Sequence, residues 1–207
     1  SPNLFSLSKA FTGVLTFIFS GYIFPMDIPF RFKCIMAFHS LKKTFAKADY
    51  KIRITKDGSG VNTILFLLPA DSVNAQIVAY FVKRDLEIEK KIIRYLVHEK
   101  GLKYYPEQLK SNIIAYKDED LNWWGTIGTQ SVLDRVNSLR YDAMVDLNQE
   151  FQPEMARLIL ELEIPIKIGF QSKISDKLYS LIIQKSDSGF FENNYHTIEK
   201  ILGLSEN

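Results

Sequence analysis

The sequence predicts an α/β fold, a doubly wound and mostly parallel sheet of five or six strands, preceded by an N-terminal helical extension. Three observations carry this. From residue 61 onward, apolar runs of strand length alternate with stretches of helical period, the pattern of a parallel sheet covered by helices. The first of these runs, VNTILFLLP at 61–69, is almost continuously apolar, as a strand buried on both faces must be. Residues 141–172, YDAMVDLNQEFQPEMARLILELEIPIKIGFQS, spell strand, turn, helix and strand in one unit.

That unit organises the rest. Ala143 to Leu147 is a short apolar strand with Asp146 near its end. Pro153 sits in a first helical turn, where its missing N–H costs nothing. Met155, Leu158, Ile159 and Leu162 follow at helical spacing and form one apolar face. Ile164, Ile166 and Ile168 then alternate with Pro165 and Lys167, which turns Lys167 outward, and Gly169 stops the run. Such a βαβ unit closes in a parallel sheet with a right-handed crossover.

Before the sheet lies an arm, residues 1–57, kept apart by the turn-rich TKDGSG at 55–60. Its first part, residues 4–25, carries a single charge, Lys9, and is rich in phenylalanine. Three readings stand: a helix packed on the domain or a partner, which is favoured, then an interfacial membrane helix, then a span, for which the run is short. A signal peptide is disfavoured, since the run lacks a basic start and a small-residue cleavage site. Phe30, Cys34, Phe38, Leu41 and Phe45 recur at helical spacing beside Arg31, Lys33, Lys42, Lys43 and Lys47. YKIRI at 50–54 reads as a short edge strand. The remaining domain, 58–207, continues with a helix after 61–69 whose inward face is Val73, Ile77, Tyr80 and Phe81. A strand at 91–97, a short helix or loop at 102–109, a strand at 112–116 and a helix carrying Val132, Leu133, Val136 and Leu139 lead into the 141–172 unit. Leu178–Gln184 is a sixth strand and Asn193–Leu204 a closing helix.

Composition bounds the partners. The formal net charge is +2 from 26 basic and 24 acidic side chains, which gives no basic stripe for nucleic acid. One cysteine, Cys34, excludes an internal disulfide. His39, His98 and His196 are far apart in sequence, so no metal is expected. No cofactor is expected either. There is no GxGxxG after the first strand and no GxxxxGK[ST], the glycines that dinucleotide and P-loop sites need for close approach to phosphate. No GxSxG elbow is present, and Cys34 precedes the sheet domain.

In a doubly wound sheet, ligands bind beyond the carboxyl ends of the strands where strand order reverses. The candidate loops are therefore 69–74, with Asp71, Ser72 and Asn74, and 146–152, with Asp146, Asn148, Gln149 and Glu150. For Asp71 the plain structural role is a helix N-cap. For Asp146 it is a carboxylate held by loop amides. Trp123 and Trp124, in a glycine-flanked acidic loop, could stack on a sugar or base, or cap the end of the sheet as apolar mass.

These residues also carry a resemblance. YDAMVDLNQEF…ARLILELEIPIKIGF resembles the YD-x-x-[IV]-D-L … R-x-G-[FY] segment of glycosyltransferase family 9, the lipopolysaccharide heptosyltransferase-like enzymes. ILFLLP at 64–69 looks like that family's first strand, and NNYHTIEKILGL at 193–204 is similar to the helix leading out of its first domain. DLNWWG looks like a segment of short family-9-like proteins without assigned activity. The resemblance covers residues 61–204 and implies a Rossmann-like, acceptor-facing domain. It also implies a catalytic base, Asp71, in the loop after the first strand, although the family's preceding glycine is absent. On this resemblance, the sequence stops where the family's donor-binding second domain is expected to start.

Two functions follow as expectations. The favoured one is a non-catalytic or incomplete glycosyltransferase-like domain used as a binding or assembly subunit. The other is a sugar transferase acting on lipopolysaccharide-type glycans, with Asp71 as base and a partner supplying the nucleotide-sugar site. Either predicts Ser72, Asn74, Trp123, Trp124, Asp146 and Asn148 as ligand contacts, and a glycan or nucleotide sugar as ligand. The arm is expected to contact a protein partner, a second copy or a membrane surface. The expected location is cytoplasmic, with peripheral attachment at the inner face of the membrane as the extension of that reading.

Overall fold

The computed structural model of the chain describes residues 30, 33–37, 60–83, 90–184 and 192–204. The chain divides into two compact units, residues 1–48 and 49–207. In the first, residues 33–37 are helical, with Met36 and Ala37 buried and Cys34 half-buried. The 4–25 run and the expected strand at 50–54 lie outside the described residues. Among the described residues, no helix is long and apolar enough to cross a membrane.

The second unit is built on a six-stranded, all-parallel sheet. Its strands are β1 (Thr63–Leu67), β2 (Ile92–His98), β3 (Ile113–Tyr116), β4 (Ala143–Asp146), β5 (Ile166–Phe170) and β6 (Leu181–Ile183), in the order β3-β2-β1-β4-β5-β6. The helices are α1 (Ser72–Val82), α2 (Gln130–Asn137), α3 (Pro153–Glu161), α4 (Ser175–Leu178) and α5 (Glu192–Leu202), with 3-10 turns over Glu99–Tyr104, Glu107–Asn112 and Asp118–Asp120. The chain moves outward from β1 to β3, returns to pair β4 on the other side of β1, and moves outward again. Strand order thus reverses between β1 and β4, as the doubly wound reading requires.

The register follows from burial. Ile64, Phe66 and the β4 residues Ala143 and Val145 are fully buried and belong to one core cluster with Ile166 and Ile168 of β5. Phe66 stacks on Tyr95 at 5.8 Å and meets Phe81 edge-on at 6.3 Å. Phe81 in turn stacks on Tyr195 at 4.8 Å, which brings the closing helix α5 onto the same core. At the amino ends of the strands Asp142 fixes β1: its Oδ2 accepts the N–H groups of Asn62 (2.8 Å) and Thr63 (3.0 Å). The first aspartate of the YDAMVD run is therefore a fastener between β4 and β1.

Three local expectations are corrected. The buried face of α1 is Ala75, Val78, Phe81 and Val82, whereas Val73, Ile77 and Tyr80 are exposed. Only Phe81 of the expected face points inward. Two helical stripes compete in this sequence, and the stripe led by the small Ala75 lets the helix lie close to the sheet. Gly169 does not end β5 but sits inside it, because the strand starts at Ile166, two residues later than the isoleucine alternation suggests. Lys167 is not outward either. Both faces of β5 are covered, and the Lys167 side chain is buried with its ammonium donating to the Ile159 carbonyl of α3. A central parallel strand has no solvent face to offer, and the long methylene stem lets the lysine reach the carbonyl.

This packing sets two expected costs. Ile159, 1% exposed on the inner face of α3, should lose about 2–5 kcal/mol on truncation to Ala through transfer and cavity terms. Lys167→Ala should cost about 1–3 kcal/mol, as expected when a buried group loses its hydrogen-bond partner. Urea titrations of the two variants read both, and a neutral Lys167→Ala would show the lysine to be solvated after all.

Candidate functional site

The carboxyl ends of β1, β2, β3 and β4 converge on one cleft. β1 ends in the segment Leu68–Ala70, which is held from two sides. The Tyr105 hydroxyl donates to the Pro69 carbonyl at 2.6 Å. Gly101 packs so closely that a Cβ there would lie 2.8 Å from the Ala70 Cα, so only glycine fits. Asp71 then caps α1, its Oδ1 accepting the Asn74 N–H at 2.9 Å, and the Asn74 side-chain amide donates to the same carboxylate. Asp71 and Ser72 are exposed.

β4 ends in Asp146, which is register partner to Leu67 of β1 and 2% exposed. Oδ1 accepts from the Asn148 backbone N–H (3.0 Å) and side-chain amide (2.7 Å), and Oδ2 accepts from the Tyr179 hydroxyl at 2.6 Å. The Tyr179 ring fills the space above Gly169, where an added Cβ would come within 2.4 Å of it. Burial pushes the Asp146 carboxyl above its ordinary range, while the Tyr179 and Asn148 hydrogen bonds pull it back. Asp146 is thus a clamp on the loop after β4 rather than an exposed acid, as the loop-amide reading anticipated. Asn148, so oriented, stands at the cleft wall with Gln152, Glu154 and Met155.

The opposite wall comes from β2 and β3, whose last residues, His98 and Tyr116, are register partners. Their rings meet edge-on at 5.0 Å. The backbone N–H of Lys100 donates to His98 Nδ1 at 3.2 Å. A proton on a neutral imidazole must therefore sit on Nε2, which lies 3.1 Å from Asp118 Oδ1. Lys100 Nζ takes the other oxygen of Asp118 at 2.6 Å. These two bonds, Lys100 first, hold the Asp118 carboxyl below the usual carboxylate range. Burial, with lesser help from Glu154, Asp146 and Asp118, holds the Tyr116 hydroxyl un-ionised. The opening between the walls is about 220 Å³ and is lined by Leu68, Ala70, Lys100 and the polar groups just named. Among the described residues, no group of three or more His, Cys, Asp or Glu side chains is placed to hold a metal ion.

One family model matches residues 36–203. The chain belongs to the family of unknown function DUF6913. No curated protein matches the chain. Among solved structures, it is similar to the glycosyltransferase GlyE of Streptococcus pneumoniae TIGR4, at 14% identity and a TM-score of 0.38, over 80% of this chain and 37% of that one. All of the cleft lies within the DUF6913 region.

Of the residues singled out in the sequence, Asp146 and Asn148 are brought together by the clamp, and Asp71 and Asn74 by the cap. Trp123 and Trp124 stand on a separate turn, their ring centroids 3.9 Å apart, with Trp123 69% exposed. His98, Lys100, Tyr116, Asp118, Gln152 and Glu154 were not singled out as site residues. His98 and Tyr116 had a signal, because each closes a strand, and the strand-end rule applies to β2 and β3 as well as to β1 and β4. The His98–Asp118 contact had none, since it depends on the register between two strands.

The clamp predicts a pH dependence. Asp146 has a folded-state pKa above its ordinary 3.8, so the folded state binds the proton more tightly than the unfolded chain. Its contribution to stability is complete below about 3.8 and falls as pH rises through the folded-state value. Asp146→Asn removes this titration, so its stability should fall less than that of the wild type between about pH 4 and pH 7. An equal change in unfolding free energy for wild type and Asp146→Asn between the two pH values, read by denaturant titration, would show the carboxyl to be solvated.

Proposed function

We propose that this DUF6913 chain is a non-catalytic sugar-binding domain whose switch-point cleft holds the hydroxyl groups of an uncharged saccharide. The observation that carries the reading is the set of groups around the opening. Asn148 and Gln152 offer amides that both donate and accept, Tyr116 offers a hydroxyl, and Glu154 and Asp118 offer carboxylates. Hydroxyl groups, which donate and accept, suit such a wall. Phosphates, which only accept, do not. Lys100, the one cation lining the opening among the described residues, is already paired with Asp118, and Glu154 adds a further negative charge. A diphosphate-bearing nucleotide sugar would therefore meet repulsion where a neutral sugar meets partners.

The resemblance of residues 61–204 to the acceptor-facing domain of glycosyltransferase family 9 supports the same ligand class. Sugar transfer with Asp71 as base is the second reading. It draws on that resemblance and on the place of Asp71 in the loop after β1. The carboxylate is engaged as a helix cap there, and Asp146 is sealed behind Tyr179 and Asn148, so binding is the better supported function.

Amide chemical-shift titration of the labelled full chain with neutral mono- and disaccharides, and with UDP-glucose, tests this. Shifts are expected at Asn148, Gln152 and Glu154 for at least one neutral sugar. Glu154→Gln should weaken binding ~10–100-fold, the worth of a hydrogen bond to a charged group. Preferential binding and turnover of UDP-glucose, abolished in Asp71→Asn, would replace this reading with the transferase.

A further inference from the structure

The tryptophan turn is held by a set of hydrogen bonds, yet it leaves a large aromatic side chain exposed. Asn122 to Gly125 is a tight turn: Gly125, at φ 76, donates its N–H to the Asn122 carbonyl at 2.8 Å, and the Asn122 N–H donates to the Thr126 carbonyl at 2.9 Å. This is a turn closed by a left-handed residue, a position at which glycine is unstrained. The Asn122 side chain then locks it, with Oδ1 accepting from the N–H groups of Trp124 (2.9 Å) and Thr126 (3.2 Å) and Nδ2 donating to Thr126 Oγ1 at 3.0 Å. Gly128 lies against Asn122, where a Cβ would approach within 2.9 Å. Asn122 thus fixes the shape of the turn, with Trp123 exposed and Trp124 half-buried beside it.

Both feet of the turn stand on the cleft. One foot is the Asp118–Asp120 segment, which carries the cleft residue Asp118. The other is Ile127, bridged to Leu121 and donating its N–H to the carbonyl of the cleft residue Glu154 at 2.9 Å. Trp124 is three residues from Ile127, so its backbone lies within ~11 Å of that anchor even if fully extended. Trp123 is 69% exposed. An exposed indole, backed by a second, half-buried one on a hydrogen-bonded turn beside a polar cleft, has the form of a stacking surface.

We infer that Trp123 and Trp124 form a second saccharide subsite, on which the apolar face of a sugar ring stacks while a neighbouring ring of the same neutral chain occupies the switch-point cleft. This rests on the proposed sugar-binding reading and extends it from a single sugar to an oligosaccharide. The charge around the turn selects against the other flat ligands that stack on indoles. Asp118, Glu119 and Asp120 lie in one run, and Lys117 is paired with Glu119 at 3.3 Å. A nucleotide or single-stranded nucleic acid would bring its phosphates into this acidic run, whereas a neutral glycan brings none.

The chain contains two tryptophans, both in this turn, so intrinsic tryptophan fluorescence reports on the subsite alone. The full chain should be screened on an array of neutral and acidic oligosaccharides, and the strongest neutral ligand titrated by fluorescence, with ATP as an anionic stacking control. Binding is expected to change the emission, with no response to ATP. Trp123→Ala should raise the Kd for the oligosaccharide at least about tenfold, the change that corresponds to ~1.4 kcal/mol. Its thermal melting should be unchanged, and so should its affinity for the monosaccharide unit of the same ligand, read by amide shifts at Gln152 and Glu154. Equal oligosaccharide affinity in wild type and Trp123→Ala, with binding still lost in Glu154→Gln, would overturn the subsite and leave the cleft standing. A fluorescence response to ATP alone would overturn the subsite in favour of a nucleotide platform. Failure of every neutral glycan to bind would overturn both readings.

Discussion

The arrangement around the cleft depends on one buried carboxylate. Asp146 leaves the central β1–β4 pairing at a point where no water can solvate it, so its two oxygens must be satisfied by the protein. Asn148 takes one and Tyr179 the other. Each partner drags a segment with it. Through Asn148 the loop after β4 is folded against the sheet end and turned toward α3, where its amide also lies 3.7 Å from the Met155 sulfur. Through Tyr179 the link between α4 and β6 is pinned over Gly169 of β5. The position of Asn148 at the cleft wall is therefore a consequence of charge burial one residue pair away.

The other wall is set by register rather than by charge. Parallel pairing places His98 beside Tyr116, and a backbone donor from Lys100 fixes the tautomer of His98. Asp118, bonded to both His98 and Lys100, then closes the rim. With both imidazole nitrogens engaged, His98 serves as a strut. The same economy applies to the two aspartates of the YDAMVD run: Asp142 fastens the start of β1 and Asp146 clamps the loop at its other end. Both aspartates of that run thus have a structural role within the sheet.

Much of this was legible in the sequence because it is local. The βαβ unit, the parallel sheet, the two switch-point loops, the Asp71 cap and the loop-amide partners of Asp146 each depend on residues a few positions apart. What was not legible depends on competition or on distance. In α1 the bulky stripe of Val73, Ile77 and Tyr80 and the slimmer stripe of Ala75, Val78 and Val82 have the same period, and only close approach to the sheet decides between them. Lys167 looked outward because alternation assumes one wet face, and a strand between β4 and β6 has none. The contact of His98 with Asp118 spans two strands and a 3-10 turn, and no spacing rule encodes it.

In the proposed function, the sheet end and the tryptophan turn together hold one neutral saccharide. A crystal structure of the full chain with the best-bound neutral oligosaccharide tests it directly. Sugar hydroxyls are expected within ~3.2 Å of Gln152 and Glu154, with an adjoining ring lying flat on Trp123. A saccharide bound elsewhere, or a sugar hydroxyl hydrogen-bonded to an Asp71 released from its cap, would contradict it.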